Sequence, residues 1–274
     1  MPDMTEPGIV DFHTHIWPDR IAEGTVRSLS DRAGIAPYAD GTAEGLERAM
    51  SEAGVSLSVV LPVITKVSQF DSIMRFASEI NEKHEALISF GAVFPGDPEY
   101  KEHLKLLRSY GFRGIKLHPD YHGVALDSKE SMNIIYEASS LGMIVSVHAG
   151  IDIGLPDDPC STPEMAAAVI DGIHPDKLVL AHTGGWKLWD EVERLLAGRE
   201  VYIDLSFTDG YIEDGQWKRI IRKHGAGRCL FGTDSPWSGQ KETIAALRRL
   251  ELTDEEYELI FSGNARKLLD INNE

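Results

Sequence analysis

The chain has 274 residues, 42% hydrophobic and 26% charged, which are ordinary values for a soluble globular protein long enough to bury a large core. Lys+Arg number 27 and Asp+Glu 44, a formal net charge of −17, which repels phosphate backbones and anionic lipid surfaces and argues against nucleic acid as a natural partner. No run of ~18 apolar residues exists, and Met1 to Pro7 shows no basic segment followed by an apolar one, so neither a membrane span nor a secretory signal is expected and the chain reads as cytoplasmic.

Short apolar, β-branched runs alternate with charged segments of helical period. In chain order the runs are Gly8 to Phe12, Leu57 to Leu61, Leu87 to Val93, Phe112 to Leu117, Met143 to Val147, Leu178 to Ala181, Val201 to Leu205 and Arg228 to Gly232. Helices are expected over Asp71 to His84, Glu99 to Tyr110 and Lys129 to Leu141, the last stopped by Gly142. Two more fit between Pro18 and Gly54, split by Pro37 and Gly41. Another opens at Ser161-Thr162-Pro163-Glu164, capped either by Ser161 with Glu164 or by Thr162 with Pro163 in the first turn. Thr243 to Leu250, Glu255 to Phe261 and Asn264 to Asp270 complete the helical set.

Buried runs joined by helical crossovers imply parallel strands. Eight such units make a closed (β/α)8 TIM barrel the simplest solution, with residues 1–274 forming a single domain. An open doubly wound sheet is the alternative, but no run is followed by the Gly-rich turn such folds use. Two cysteines make no disulfide framework: Cys229 lies in an apolar run as core filler, and Cys160 sits in a loop.

Reactive side chains of such barrels stand at the C-terminal strand ends. Run one ends in His13-Thr14-His15, run four in Lys116-Leu117-His118, run five in His148, run six in His182 and run eight in Asp234. Five of the ten histidines thus fall at the ends of four different strands. His13 and His15, two apart on a strand, share one face and can reach one cation. Neutral imidazoles with a carboxylate suit zinc or a similar first-row metal. No one of these histidines is diagnostic alone, since a core histidine bonded to backbone explains each; the set of positions carries the metal reading. Asp234 would otherwise be a helix cap, but Pro236-Trp237-Ser238-Gly239 delays the next helix.

The motifs Asp11-Phe12-His13-Thr14-His15, Gly114 to Pro119, Val147-His148-Ala149-Gly150, Ala181 to Gly185, Gly232 to Pro236 and Gly263 to Leu269 occur in this order along essentially the whole chain. So arranged, the sequence resembles the amidohydrolase superfamily, in the branch that contains aminocarboxymuconate-semialdehyde decarboxylase, resorcylate-type decarboxylases, hydratases and certain lactonases. The resemblance implies metal ligands at His13, His15, His148 and Asp234, with His182 activating water or polarising substrate, or binding a second ion in two-metal members. It makes Asp234 and His182 the catalytic pair; because no carboxylate stands at the end of run four, one tightly held ion is expected, zinc by its donor set, with a weaker second site left open. Lys116 and His118, on one face, are candidates for that second site or for substrate binding. A carbamylated Lys116, an ammonium that holds an anionic substrate and a simple ion pair all stay open.

Trp17, Trp186 and Trp237 flank these motifs and are candidate pocket walls, with loop packing as the plain alternative. Asp204, with Tyr202 at the same parity, either orients a histidine or satisfies backbone groups. The expected activity is metal-dependent hydrolysis of a C–O or C–N bond in a small molecule by activated water. Nonoxidative decarboxylation or hydration of an unsaturated or aromatic carboxylic acid is the alternative, and a metal-binding barrel without catalysis a minor one. No nucleic-acid or membrane partner is expected, and homo-oligomerisation stays open.

Overall fold

The computed structural model describes residues 8–271, so the Met1 to Pro7 stretch that carried the secretory-signal reading lies outside the described residues. The strands are β1 (Ile9–Thr14), β2 (Val55–Val60), β3 (Leu87–Ser89), β4 (Gly91–Ala92), β5 (Gly114–Leu117), β6 (Ile144–Val147), β7 (Leu178–Leu180), β8 (Tyr202–Asp204) and β9 (Cys229–Leu230). The helices are α1 (Asp19–Ala33), α2 (Ala43–Ala53), α3 (Phe70–Lys83), α4 (Tyr100–Ser109), α5 (Pro119–His122) and α6 (Lys129–Ser140), then α7 (Pro163–Ile173), α8 (Trp189–Leu195), α9 (Asp214–His224), α10 (Gln240–Arg249), α11 (Asp254–Glu258) and α12 (Asn264–Leu269).

Every sequence run lands on a strand, and all neighbouring strands pair in parallel. The third run differs from expectation in one respect: it divides at Phe90, whose N–H goes to the Val60 carbonyl at 2.9 Å, leaving β3 paired with β2 and β4 with β5. The circle closes where Phe12 N–H donates to the Phe231 carbonyl at 2.8 Å. This is a (β/α)8 barrel. No helix among the described residues is long and apolar enough to cross a membrane.

Inside the barrel, Val10, Phe12, Val59, Leu61, Phe90, Ile144, Val179 and Leu230 form one apolar cluster. Ala265, Leu268 and Leu269 of α12 join it and close the floor. The register of β1 against β2 shifts between Asp11 and Thr14. Such an irregularity re-aims a side chain, and His13 can therefore turn to the same interior as Phe12. Thr162, not Ser161, caps α7, with Pro163 in its first turn; Ser161 Oγ instead donates to the His148 carbonyl at 2.6 Å. The helix expected over Glu255 to Phe261 breaks after Glu258 into a wider turn over Leu259–Gly263. Cys229 is fully buried and Cys160 half-buried in its loop, both as free thiols.

Candidate active site

The strand ends gather His13, His15, Lys116, His118, His148, His182 and Asp234 around one cavity of about 430 Å³ at the barrel mouth. Trp17, Trp186 and Trp237 also line it. Trp17 stacks toward His15 at 6.4 Å between ring centres and meets Trp237 edge-on at 6.2 Å. Gly232 makes room for this assembly: a Cβ there would come within 3.0 Å of His13 Cβ. His182 and Asp234 both have left-handed backbones, at φ 58° and 66°. Such strain in residues other than glycine persists only where surrounding contacts enforce it. Here the Asp234 N–H donates to the His13 carbonyl at 2.7 Å and the His182 N–H to Asp204 Oδ1 at 3.2 Å.

Three acceptors converge at the centre. His13 Nε2 and His15 Nε2 lie 3.2 Å apart, and Asp234 Oδ1 lies 3.3 Å from the first and 3.1 Å from the second. Hydrogen bonds on the far side of each ring decide what these atoms are. His15 Nδ1 faces the Leu61 carbonyl at 2.7 Å, which can only accept, so that nitrogen carries the proton. His13 Nδ1 faces Asp204 Oδ2 at 2.9 Å. Burial works against the Asp204 carboxylate, but the adjoining His13 ring and hydrogen bonds from His13 and Ser206 hold it well below the usual carboxylate range. His13 therefore donates from Nδ1, and burial followed by the nearby Lys116 charge pushes its pKa down to about 4. Two imidazole lone pairs and a carboxylate oxygen then face one another, with the Lys116 amine, 3.3 Å from His13 Nε2, as the donor beside them. A bound cation relieves that arrangement, and two nitrogens with one carboxylate oxygen are a divalent-metal donor set.

Asp204 and Ser206 organise the rest. Ser206 Oγ donates to Asp204 Oδ1 at 2.5 Å, leaving its lone pairs toward His13 Nδ1 and His182 Nδ1, each at 3.0 Å. With the Ser206 carbonyl also 3.3 Å from His182 Nδ1, the His182 proton sits there and its Nε2 is bare. Burial lowers the His182 pKa, partly offset by Asp234 and Asp204, which keeps the ring neutral and able to take a proton.

His148, assigned from sequence as the fourth ligand, stands outside the His13, His15 and Asp234 triplet. Its Nδ1 lies 3.0 Å from His182 Nε2, and its Nε2 is buried without a hydrogen-bond partner, 3.9 Å from both Asp120 and Asp152 carboxylates. The His118 ring stacks on it at 4.1 Å and 8°. Burial, then His148, depresses His118, while burial raises Asp152 to about 6. Lys116 is buried with Nζ 3.3 Å from His13 Nε2. Burial pulls it down to about 8 against the opposing pull of Asp204 and Asp234.

Sequence reasoning missed Ser206, Asp120 and Asp152. Ser206 repeats the parity of Asp204 just past β8 and could have been found that way; Asp120 sits in the one-turn helix α5 and Asp152 in a loop, and neither carries a periodic signal.

The sequence model of a family described as amidohydrolase matches residues 10–271. No curated protein sequence matches the chain. Among solved structures, a TIM-barrel protein from Bordetella bronchiseptica superposes with a TM-score of 0.77 at 17% identity, over 96% of this chain and 98% of that one. A 2,6-dihydroxybenzoate decarboxylase from Rhizobium gives 0.68 at 16%, over 96% and 98%. A probable 2-pyrone-4,6-dicarboxylic acid hydrolase from Acinetobacter baumannii gives 0.66 at 16%, over 96% and 99%. At such identities the structural likeness speaks to fold alone.

Proposed function

The chain belongs to the amidohydrolase family, and from that premise we propose that it is a metal-dependent hydrolase of a C–O or C–N bond in a small molecule. The observation that carries this reading is the convergence of His13 Nε2, His15 Nε2 and Asp234 Oδ1 as three unprotonated acceptors. These residues would hold the ion. His148 is the further ligand in our assignment, and zinc is the metal its donor set favours. A divalent cation supplies a Lewis acid and acidifies water at neutral pH.

The chain's own groups supply the proton traffic. Burial raises the Asp234 carboxyl, but the surrounding His13, His15 and His182 outweigh it and hold it below the usual carboxylate range, so it is an available base. Water adds its oxygen to the acyl carbon and gives one proton to Asp234. The C–O or C–N bond breaks, and the leaving atom takes that proton back. His182, neutral and with its unprotonated Nε2 3.0 Å from His148 Nδ1, polarises the reacting carbonyl once protonated or relays the same proton. Lys116, buried against His13, steadies negative charge as an ammonium; carbamylated, it would instead help hold a second ion.

Nonoxidative decarboxylation is the second reading, favoured by a relative of the same fold described as a decarboxylase. Either way the partner is a small molecule rather than nucleic acid or membrane. A panel of lactones, esters and amides assayed for acid release, beside aromatic carboxylates assayed for CO2, decides between them. Acid release without CO2 supports the hydrolase, and CO2 from aromatic acids alone overturns it.

A further inference from the structure

The cavity does not end at the metal ligands. It continues outward between α1 and α3: α1 carries there an apolar face that does not pack on the core, and α3 adds Ile73 and Phe76, which pack on the edge of the core and still border the cavity. Ala22 and Val26 are the buried residues of α1, yet Ile21, Thr25, Leu29 and Ala33, spaced four apart, form a second stripe that lines the cavity. On α3, Phe70, Ala77 and Ile80 are buried, while Ile73 and Phe76 line the cavity. Leu29, Ile73 and Phe76 are only half-buried, and Ile21 is 44% exposed. The exposed charges Glu23, Arg27 and Asp31 of α1 lie off this lining, to which α1 and α3 together contribute one charged residue, Arg20, while Arg32 reaches across to Tyr121 and Gly154 on the opposite wall.

Apolar side chains left half-wet beside a catalytic cluster gain free energy when an apolar ligand displaces the water on them. Away from Arg20, a second carboxylate on the ligand would lie against Ile73, Phe76 and Leu29 with no cationic partner and would pay its desolvation unrelieved. We propose that the cleft between α1 and α3 is an acyl-chain arm of the active site, and that the substrate is a lactone, ester or amide whose acyl part carries an extended hydrocarbon chain. The chemistry at the head rests on the hydrolase reading above; the arm itself rests on the lining of the cleft.

The test separates the two. Isothermal calorimetry of the metal-loaded protein with butanoate, hexanoate and octanoate reads the chain without requiring turnover. Hydrolysis of para-nitrophenyl butanoate and octanoate reads the head. Full burial of one methylene tightens binding by up to about fourfold, so octanoate is expected to bind at least ~10-fold more tightly than butanoate. In Leu29→Glu, which puts a charge in the arm, and in Ile73→Trp, which fills it without charge, the octanoate to butanoate ratio is expected to fall below ~3. The second variant keeps the test valid should the first unfold. A flat series in the wild type, or a series that survives in both folded variants, overturns the arm. A chain-length series with no ester hydrolysis upholds the arm and counts against the hydrolase reading alone.

Discussion

Replacing Asp204 by Asn isolates the hydrogen bond that fixes the His13 tautomer. Asp204 Oδ1 accepts from the His182 N–H, the Ser206 N–H and Ser206 Oγ, while Oδ2 accepts from His13 Nδ1. Three donors hold the amide oxygen of an asparagine on the Oδ1 side. Its NH2 then faces His13 Nδ1, where it can only donate. The imidazole must shift its proton to Nε2, the atom that faces His15 and Asp234, and a protonated Nε2 cannot bind a metal. Losing a hydrogen bond to a charged group costs about 1.5–3 kcal/mol, or roughly 10–150-fold in metal affinity. The loss of a partner behind a ligating histidine falls in the same range, about 10–100-fold. Metal dissociation constants from chelator competition, with thermal unfolding of the metal-free forms as a control for folding, provide the assay. Metal affinity within about twofold of wild type, in a normally folded variant, would refute the tautomer reasoning.

Further outcomes follow from the same geometry. Asp234→Asn keeps size and one oxygen ligand but removes the base, so turnover should drop steeply while some metal stays bound. His182→Asn should leave the first ion in place and still slow turnover by roughly 10²-fold or more; complete metal loss in that variant would make His182 a primary ligand and end the single-ion assignment. His122 is buried one helical turn past His118, behind the cavity wall, and burial pushes its pKa down to about 4. The unfolded ring takes a proton near pH 6.5 that the folded ring refuses, so its contribution to stability is intact above 6.5 and shrinks as pH falls toward 4. Between pH 7 and pH 5 this amounts to about 2 kcal/mol; urea midpoints of wild type and His122→Phe should converge or cross on acidification, and parallel pH curves would contradict it.

The barrel was legible in the sequence because its signals are local. A buried parallel strand is a short apolar run, and His13, His15, Lys116, His148, His182 and Asp234 betray themselves by standing at the ends of such runs. Pairing across strands is not local. The sequence offers no sign that the third run divides at Phe90; it leaves Asp204 between orienting a histidine and satisfying backbone groups, and only the fold shows that it does both, for the His13 ring on β1 and the His182 N–H. Asp152 meets the His118 and His148 rings only through the path of its loop. The second apolar stripe of α1 is visible as a four-residue repeat, but whether such a stripe packs on protein or borders a cavity depends on where the helix sits.

Metal titration of the apoprotein tests the central claim most directly. Protein stripped by chelator and dialysed is titrated with zinc while hydrolysis of the best lactone or ester is followed. The account predicts negligible hydrolysis without metal and a linear rise that levels off near one equivalent, with His13→Ala failing to recover. Hydrolysis that is undiminished in the stripped protein, or that His13→Ala retains in full, would contradict it.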